Sequence, residues 1–187
     1  MRQNVFIFHG TGGHPQENWF PWLKAKLEAE GLKVFVPKFP TPEGQSLKAW
    51  LKVLESLRGK INQNTIIIAH SLGAIFLLRL LERLEHPIKF AVFVAGIVGV
   101  KPITNYDGDF KFSNGFEFDW TKIKQNAKNF FVYHSDNDPY TCIENGKRLA
   151  ENLGVELTFV PKAGHFNSKA GYTTFEQLFG NIKNMLK

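Results

Sequence analysis

A serine with small neighbours lies between a predicted strand and a predicted helix. Residues 69–73 read Ala-His-Ser-Leu-Gly, with an apolar run before them and an apolar helical pattern after them. A tight strand-to-helix turn of this kind holds a nucleophilic serine clear of the sheet and leaves room only for small flanking residues. The usual motif is Gly-x-Ser-x-Gly, and Ala69 replaces its first glycine. The pattern predicts a nucleophile at Ser71; the alternative is that Ser71 caps the helix.

A serine hydroxyl needs an adjacent base at neutral pH, and histidine usually supplies it. Three of the six histidines follow Ser71 in the chain, namely His86, His134 and His165. Where a nucleophile sits on a strand-to-helix turn, the acid comes next along the chain and the histidine last. His165 follows the last predicted strand, where a loop can bring it over Ser71. We therefore predict His165 as the base; the alternative is an exposed loop histidine.

Two carboxylates follow the fifth predicted strand, in the segment Ser-Asp-Asn-Asp-Pro at residues 135–139. One carboxylate can shape the turn through local hydrogen bonds. The other can accept a hydrogen bond from the imidazole and stabilise the imidazolium that forms during catalysis. Chain order alone does not separate Asp136 from Asp138.

A glycine-rich segment, residues 9–13, follows the first predicted strand. Backbone N–H groups there can stabilise the oxyanion of an acyl-transfer reaction, and we predict that Thr11 and Leu72 donate. A phosphate or dinucleotide loop is the alternative, but neither Gly-x-Gly-x-x-Gly nor a P-loop lysine is present. His9 and His14 have no cysteine or carboxylate cluster at metal-ligand spacing, so we predict neither a metal nor an organic cofactor.

Apolar runs alternate with helical patterns along the chain. Such alternation favours a parallel sheet covered on both faces, and hence an α/β fold: a doubly wound parallel sheet of about six strands in a single domain over residues 1–187. The predicted strands are 5–8, 33–36, 65–69, 90–95, 130–133 and 155–160, and the predicted helices are 19–30, 46–57, 72–84, 141–152 and 173–186.

Residues 96–120 form the one long segment without a helical or strand pattern. Irregular segments of that length in compact domains are usually functional, and we predict a lid or rim here. Residues 110–118 alternate about an Asn-Gly pair, which predicts either a hairpin or an irregular loop with its aromatic side chains on the core. The aromatic residues of this segment would favour short apolar acyl groups: Phe110, Phe112, Phe116 and Trp120.

Composition excludes several functional classes. The chain has 187 residues, a net charge of +6 and a single cysteine, which rules out an intrachain disulfide and clustered-thiolate metal sites. The basic residues are scattered, so we predict no nucleic-acid binding. The chain has no run of about 20 apolar residues and its first apolar run is too short for a signal peptide, so we expect no membrane span and a cytoplasmic location.

The sequence resembles the small serine hydrolases of the α/β-hydrolase superfamily typified by retinoblastoma-binding protein nine. Three blocks carry the resemblance: residues 9–13 with 17–23, residues 70–73, and residues 135–140 with 164–166. The resemblance covers nearly the whole chain and implies a minimal α/β-hydrolase fold without a cap domain. In the family the acid precedes the proline, which selects Asp138 over Asp136.

The resemblance implies hydrolysis of a small carboxylic ester, or of a thioester or amide, through an acyl-enzyme on Ser71. Specificity is then expected from residues 10–22 and 96–120, with substrate contacts at Gly12, His70, Trp19, Phe118 and Trp120. The alternative is a binding module with little or no turnover. The Leu-x-Cys-x-Glu motif is absent, since residues 140–144 read Tyr-Thr-Cys-Ile-Glu, so we predict no retinoblastoma-type partner. The oligomeric state stays open.

Overall fold

A parallel sheet forms the centre of the molecule in the computed structural model, which describes residues 3–186. Six strands pair in the order β2-β1-β3-β4-β5-β6, and each neighbouring pair is parallel. The strands are β1 (Asn4–Phe8), β2 (Lys33–Phe35), β3 (Ile66–His70), β4 (Ile88–Val94), β5 (Ala127–His134) and β6 (Leu157–Phe159). The expected fold class is confirmed.

Helices cover both faces of this sheet. They are α1 (Phe20–Ala29), α2 (Leu47–Glu55), α3 (Leu72–Leu81), α4 (Tyr106–Ser113), α5 (Trp120–Gln125), α6 (Ile143–Leu153) and α7 (Glu176–Leu186), with short 3-10 turns at Arg58–Lys60 and Ser168–Ala170. Successive strand residues point to opposite faces. Phe6 and Phe8 therefore join the core beneath α2 and α3, whereas Val5 and Ile7 join the core beneath α1 and α7.

The segment 96–120 contains helix α4 and no hairpin, while Phe112, Phe116 and Phe118 pack on the core as the irregular-loop alternative expects. The Asn-Gly pair at 114–115 ends α4 and does not turn a hairpin: Asn114 is left-handed, with φ 57° and ψ 46°. Asparagine and glycine suit positive φ at a helix end as well as in a hairpin turn, so the pair alone does not distinguish the two. The hairpin prediction is wrong: residues 106–113 form α4, and residues 96–105 and 114–119 lie outside the helices.

A buried arginine anchors the end of α4 to α3. Arg79 Nε donates to the carbonyl of Ser113 at 2.8 Å, and Nη2 donates to the carbonyl of Gly115 at 2.9 Å. Nη1 pairs with Glu82 at 2.8 Å, and the guanidinium lies 4.4 Å from the ring centroid of Phe118. These bonds satisfy carbonyl groups that a helix end leaves free and hold α4 in place.

Two structural absences are clear within residues 3–186. No helix in that part of the chain is both long and apolar enough to cross a membrane. Nor does it contain three or more histidine, cysteine or acidic residues grouped to hold a metal ion.

Candidate active site

Ser71 lies on the tight turn between β3 and α3. Its backbone has φ 56° and ψ −123°, a region that residues other than glycine rarely adopt and that is typically found at functional sites. Its N–H donates to the carbonyl of Val94 at 3.0 Å, which fixes the turn to the end of β4. The side chain makes no capping hydrogen bond to α3. Ser71 therefore stands at the N-cap position of α3 but does not cap the helix with its side chain.

The residues around the turn are small because backbone lies against them. A Cβ atom at Gly73 would lie 2.8 Å from the carbonyl oxygens of both Phe8 and His9. Ala69 stands where the usual motif has glycine, and its methyl group is buried in the core. The structure therefore accommodates alanine at that position, while Gly73 has no room for any side chain.

Residues 10–13 form a turn at the edge of the cleft. The N–H of Gly13 donates to the carbonyl of Gly10 at 3.1 Å, and the N–H of Gly12 donates to Thr41 Oγ1 at 2.7 Å. In the described part of the chain the N–H groups of Thr11 and Leu72 donate no hydrogen bond. Both backbone groups predicted as oxyanion donors are thus free of hydrogen bonds within this part of the chain.

The buried ring of His9 is hydrogen-bonded to this turn. Its Nε2 accepts a hydrogen bond from the N–H of Phe39 at 3.0 Å. Nδ1 must therefore carry the proton, which it donates to the carbonyl of Gly10 at 2.9 Å. Burial lowers the pKa of His9, so the ring stays neutral at neutral pH. His9 is a positioning residue with both nitrogens occupied.

His165 and Asp138 form a short hydrogen-bonded pair. His165 Nδ1 lies 2.7 Å from Asp138 Oδ2, and the Asp138 side chain is fully buried. Asp138 Oδ1 accepts from the N–H of Tyr140 at 2.8 Å and of Thr141 at 3.2 Å. These two donors fix the carboxylate, and the carboxylate fixes the Nδ1–H tautomer of His165. Nε2 is left to accept a proton.

The loop after β5 is hydrogen-bonded to the histidine loop, residues 162–165. Three side-chain oxygens of the first loop accept from backbone N–H groups of the second: Asp136 Oδ1 from Lys162 at 2.8 Å, Ser135 Oγ from Ala163 at 2.9 Å, and Asn137 Oδ1 from Gly164 at 2.7 Å. The Lys162 N–H also holds the pKa of the exposed Asp136 carboxyl below its usual range. Asp136 therefore shapes the loop, and Asp138 contacts the imidazole.

Ser71 and His165 line one open cleft of about 420 Å³. Within residues 3–186 no hydrogen bond joins Ser71 Oγ to His165. Hydrogen bonds between a nucleophile and its base are often long without substrate and shorten in the complex. The geometry therefore brings the serine, the histidine and Thr11 to one cleft, with no hydrogen bond between the serine and the histidine.

His70 supports His165 from the side of β3. Its Nε2 donates to the carbonyl of His165 at 2.8 Å, and the two ring centroids are 4.8 Å apart. Burial, followed by the nearby His165, lowers the pKa of His70 to about 3, so this ring is neutral at neutral pH. Gly12 and His70 both line the cleft as predicted for substrate contacts.

The three aromatic residues predicted to contact substrate do not line the cleft, and that prediction is wrong. Trp19 is fully buried, and its Nε1 donates to the carbonyl of Phe166 at 2.9 Å. Phe118 is buried against the Arg79 guanidinium, and Trp120 packs against Phe118 with ring centroids 5.3 Å apart. These three aromatic side chains pack in or against the hydrophobic core and do not reach the cleft.

The expected apolar rim is also wrong. Phe112 is buried against Trp50, Phe116 packs on Tyr106, and Phe110 is 48% exposed outside the cleft. The residues of segment 96–120 that do line the cleft are Ile97, Ile103, Thr104, Asn105 and Asp109. Asn105 and Asp109 were not among the predicted residues, because the sequence pattern does not predict α4, and the start of that helix places both at the cleft.

The chain is similar to known proteins over nearly its whole length. The sequence profile of the serine hydrolase family matches residues 5–184. YdeN of Bacillus subtilis is 31% identical over 176 residues, covering 93% of this chain and 91% of that protein. Serine hydrolase RBBP9 of Rattus norvegicus is 27% identical over 179 residues, covering 95% and 91%. The crystal structure of the ydeN gene product aligns with a TM-score of 0.91 over 98% of both chains. The chain belongs to the serine hydrolase family.

Proposed function

We propose that the protein hydrolyses small carboxylic esters through an acyl-enzyme formed on Ser71. The observation that carries the proposal is the 2.7 Å contact of Asp138 with His165, which lines the same cleft as the strained Ser71. A fixed carboxylate, an oriented imidazole and a serine on a tight turn are the parts that acyl transfer requires.

In the first step Ser71 Oγ attacks the ester carbonyl while His165 Nε2 takes the hydroxyl proton. The Asp138 carboxylate stabilises the resulting imidazolium through Nδ1–H. The N–H groups of Thr11 and Leu72 donate to the oxyanion, where charge develops. The tetrahedral intermediate then collapses: the bond to the alcohol oxygen breaks, and His165 returns the proton to the leaving alcohol.

In the second step water repeats the sequence in place of Ser71. His165 removes a proton from the water, the hydroxide attacks the acyl carbonyl, and the bond to Ser71 Oγ breaks with the proton returned to the serine. The products are the carboxylic acid and the free enzyme. Thioesters and amides would follow the same route, with the thiol or amine as the leaving group.

A fluorophosphonate probe tests the nucleophile directly. We expect covalent labelling of the wild type and of Ser56→Ala, which changes an exposed side chain at the C-terminal end of α2, and no labelling of Ser71→Ala. With p-nitrophenyl acetate, loss of the nucleophile should lower kcat by up to about 10⁶-fold. Equal labelling of the wild type and Ser71→Ala would refute the assignment.

A binding module with little turnover is the competing proposal, and the missing Ser71–His165 hydrogen bond favours it. It predicts weak hydrolysis across an ester panel even when the serine is labelled.

Nucleic-acid binding would instead weaken steeply with salt. We expect no such binding at low salt, because the basic residues are scattered.

A further inference from the structure

The charge of the cleft is opposite to that of the protein. The whole chain carries +6, yet the charged side chains that line the cleft besides His165 are Glu17, Asp109 and the exposed Lys169. Two carboxyls and one lysine give the lining an excess of one negative charge when all three are ionised. The acidic groups therefore lie where substrate binds, in a protein whose remaining surface is basic.

Asp109 is the more deeply placed of these carboxyls. It lies on α4 and is only 3% exposed, with the cleft as its route to solvent. Its Oδ1 accepts a hydrogen bond from Asn105 Nδ2 at 3.2 Å. No lysine, arginine or histidine within residues 3–186 forms an ion pair with it. Buried carboxylates are normally paired, so this one lacks a cation that a ligand could supply.

The local geometry keeps Asp109 in this position. A Cβ atom at Gly108 would lie 2.5 Å from Asn105 Nδ2, so the Asn105 side chain rests directly on the backbone of α4. From there Asn105 Nδ2 can donate to Asp109 one turn further along the helix. The second carboxyl oxygen of Asp109 receives no hydrogen bond from the described residues and remains available to a ligand.

Glu17 faces the same cleft from the loop before α1. Its Oε1 accepts from Asn18 Nδ2 at 3.1 Å, and it too has no cationic partner in the described part of the chain. Burial raises the pKa values of both Glu17 and Asp109, that of Asp109 to about 6. Both carboxyls are thus held partly away from water, where a bound cation gains most from them.

We propose that Asp109 is a specificity-determining residue that selects substrates carrying an ammonium group on the acyl or the alcohol part. The inference rests on the proposed function, because it places the ammonium in the cleft beside Ser71. An ammonium donates up to three hydrogen bonds, and charge-assisted bonds to a carboxylate are short and strong. A methyl group at the same point would leave the Asp109 carboxylate buried and unpaired.

The inference can be tested by measuring how well an amine in the cleft protects Ser71 from a fluorophosphonate probe. The test applies whether the ammonium group belongs to the acyl or to the alcohol part of the ester. We would measure the labelling rate at pH 7.5 with increasing n-butylammonium chloride, and with 1-butanol as the uncharged ligand of equal length. Sodium chloride would hold the ionic strength constant. We expect n-butylammonium to protect the wild type at concentrations about ten- to a hundredfold lower than 1-butanol.

Two charge-removing variants on α4 identify the carboxyl responsible. Asp107→Asn removes an exposed carboxyl outside the cleft and should keep the wild-type ratio of the two protecting concentrations. Asp109→Asn should bring that ratio to about one. If Asp109→Asn fails to fold, Asp109→Ser serves in its place. The ratio is internal to each protein, so a change in basal labelling does not affect it.

Several outcomes overturn the inference. A wild-type ratio near one does so without any variant. A ratio that survives in Asp109→Asn assigns the ammonium to another group, and a ratio lost equally in Asp107→Asn reduces the effect to general electrostatics. If wild-type Ser71 is labelled but amines do not protect it, only this inference fails. If wild-type Ser71 is never labelled, the proposed function fails first and this inference with it.

Discussion

Gly10 lies so close to Ser71 that an added Cβ atom would be 2.7 Å from Cβ of the serine and 3.0 Å from its Oγ. The turn that offers the Thr11 N–H is therefore packed directly on the nucleophile. His9, one residue earlier, holds the carbonyl of Gly10 through its buried ring. Ser71 and the turn of residues 10–13 thus form one rigid unit, so a small displacement of one also displaces the other.

Gly10→Ala should lower kcat by about 100-fold while the protein remains folded. The methyl group pushes Ser71 Oγ or the turn aside, and a misplacement of about 1 Å can cost that much. Overpacking should also lower the free energy of unfolding by about 1–3 kcal/mol. Steady-state kinetics with p-nitrophenyl acetate and urea denaturation measure the two effects. Gly59→Ala, which adds a methyl group in open space, is the control. Wild-type kcat in Gly10→Ala would show that the turn is not rigid.

Asp138→Asn should lower kcat by about 10⁴-fold, because an amide in place of the carboxylate no longer fixes the reactive tautomer of His165. Asp136→Asn should change kcat only a few-fold, since its amide oxygen can still accept from the Lys162 N–H. The two variants remove the same charge two residues apart, so each controls for the other. The reverse order of effects would assign the orienting role to Asp136.

Much of this site could be predicted because its signals are local. The strand-to-helix serine at Ser71, the turn after β1 and the histidine loop after β6 each follow a strand whose apolar pattern is visible in the sequence. Parallel strands end at one edge of the sheet, so their carboxyl ends bring these loops together. Only the choice between Asp136 and Asp138 needed the family resemblance, and the 2.7 Å contact of Asp138 now supports it geometrically.

The other wall of the cleft could not be predicted because tertiary contacts determine it. Helix α4 carries no strong apolar periodicity, and the Arg79 bonds to Ser113 and Gly115 hold its end. That partner lies 34 residues away from Ser113 in the chain. Once α4 forms, it brings Asp109 to the cleft and turns Phe112 into the core. The expectation of an apolar pocket failed for this reason.

Arg79→Met should lower the free energy of unfolding by about 3–5 kcal/mol. The change leaves Glu82 with only the more exposed Arg83 as a cationic partner, and it leaves the carbonyls of Ser113 and Gly115 without donors. Urea denaturation would measure the loss. Arg148→Met removes an arginine from an exposed pair with Glu151 and should cost less than about 1 kcal/mol. Similar costs for both variants would mean that Arg79 does not anchor α4.

Asp109→Asn should make the protein more stable at neutral pH and not at acid pH. Burial raises the pKa of Asp109 from 3.8 to about 6, against the opposing effects of the Asn105 amide and of His165. The folded state therefore binds this proton more tightly than the unfolded chain does. Stability falls as the pH rises through that window, and the full cost is present above it. The pKa shift corresponds to a loss of at most about 3 kcal/mol in the free energy of unfolding. Solvent screening through the cleft reduces this loss to about 1–2 kcal/mol.

Urea denaturation at several values between pH 4 and pH 7.5 measures this difference. The free energy of unfolding of Asp109→Asn relative to the wild type should grow by about 1–2 kcal/mol across that range, whereas Asp107→Asn should show no such growth. A flat difference for Asp109→Asn would mean that its carboxyl is not held away from water. Because a cation beside Asp109 offsets the same cost, n-butylammonium should stabilise the wild type at pH 7.5 and leave Asp109→Asn unchanged.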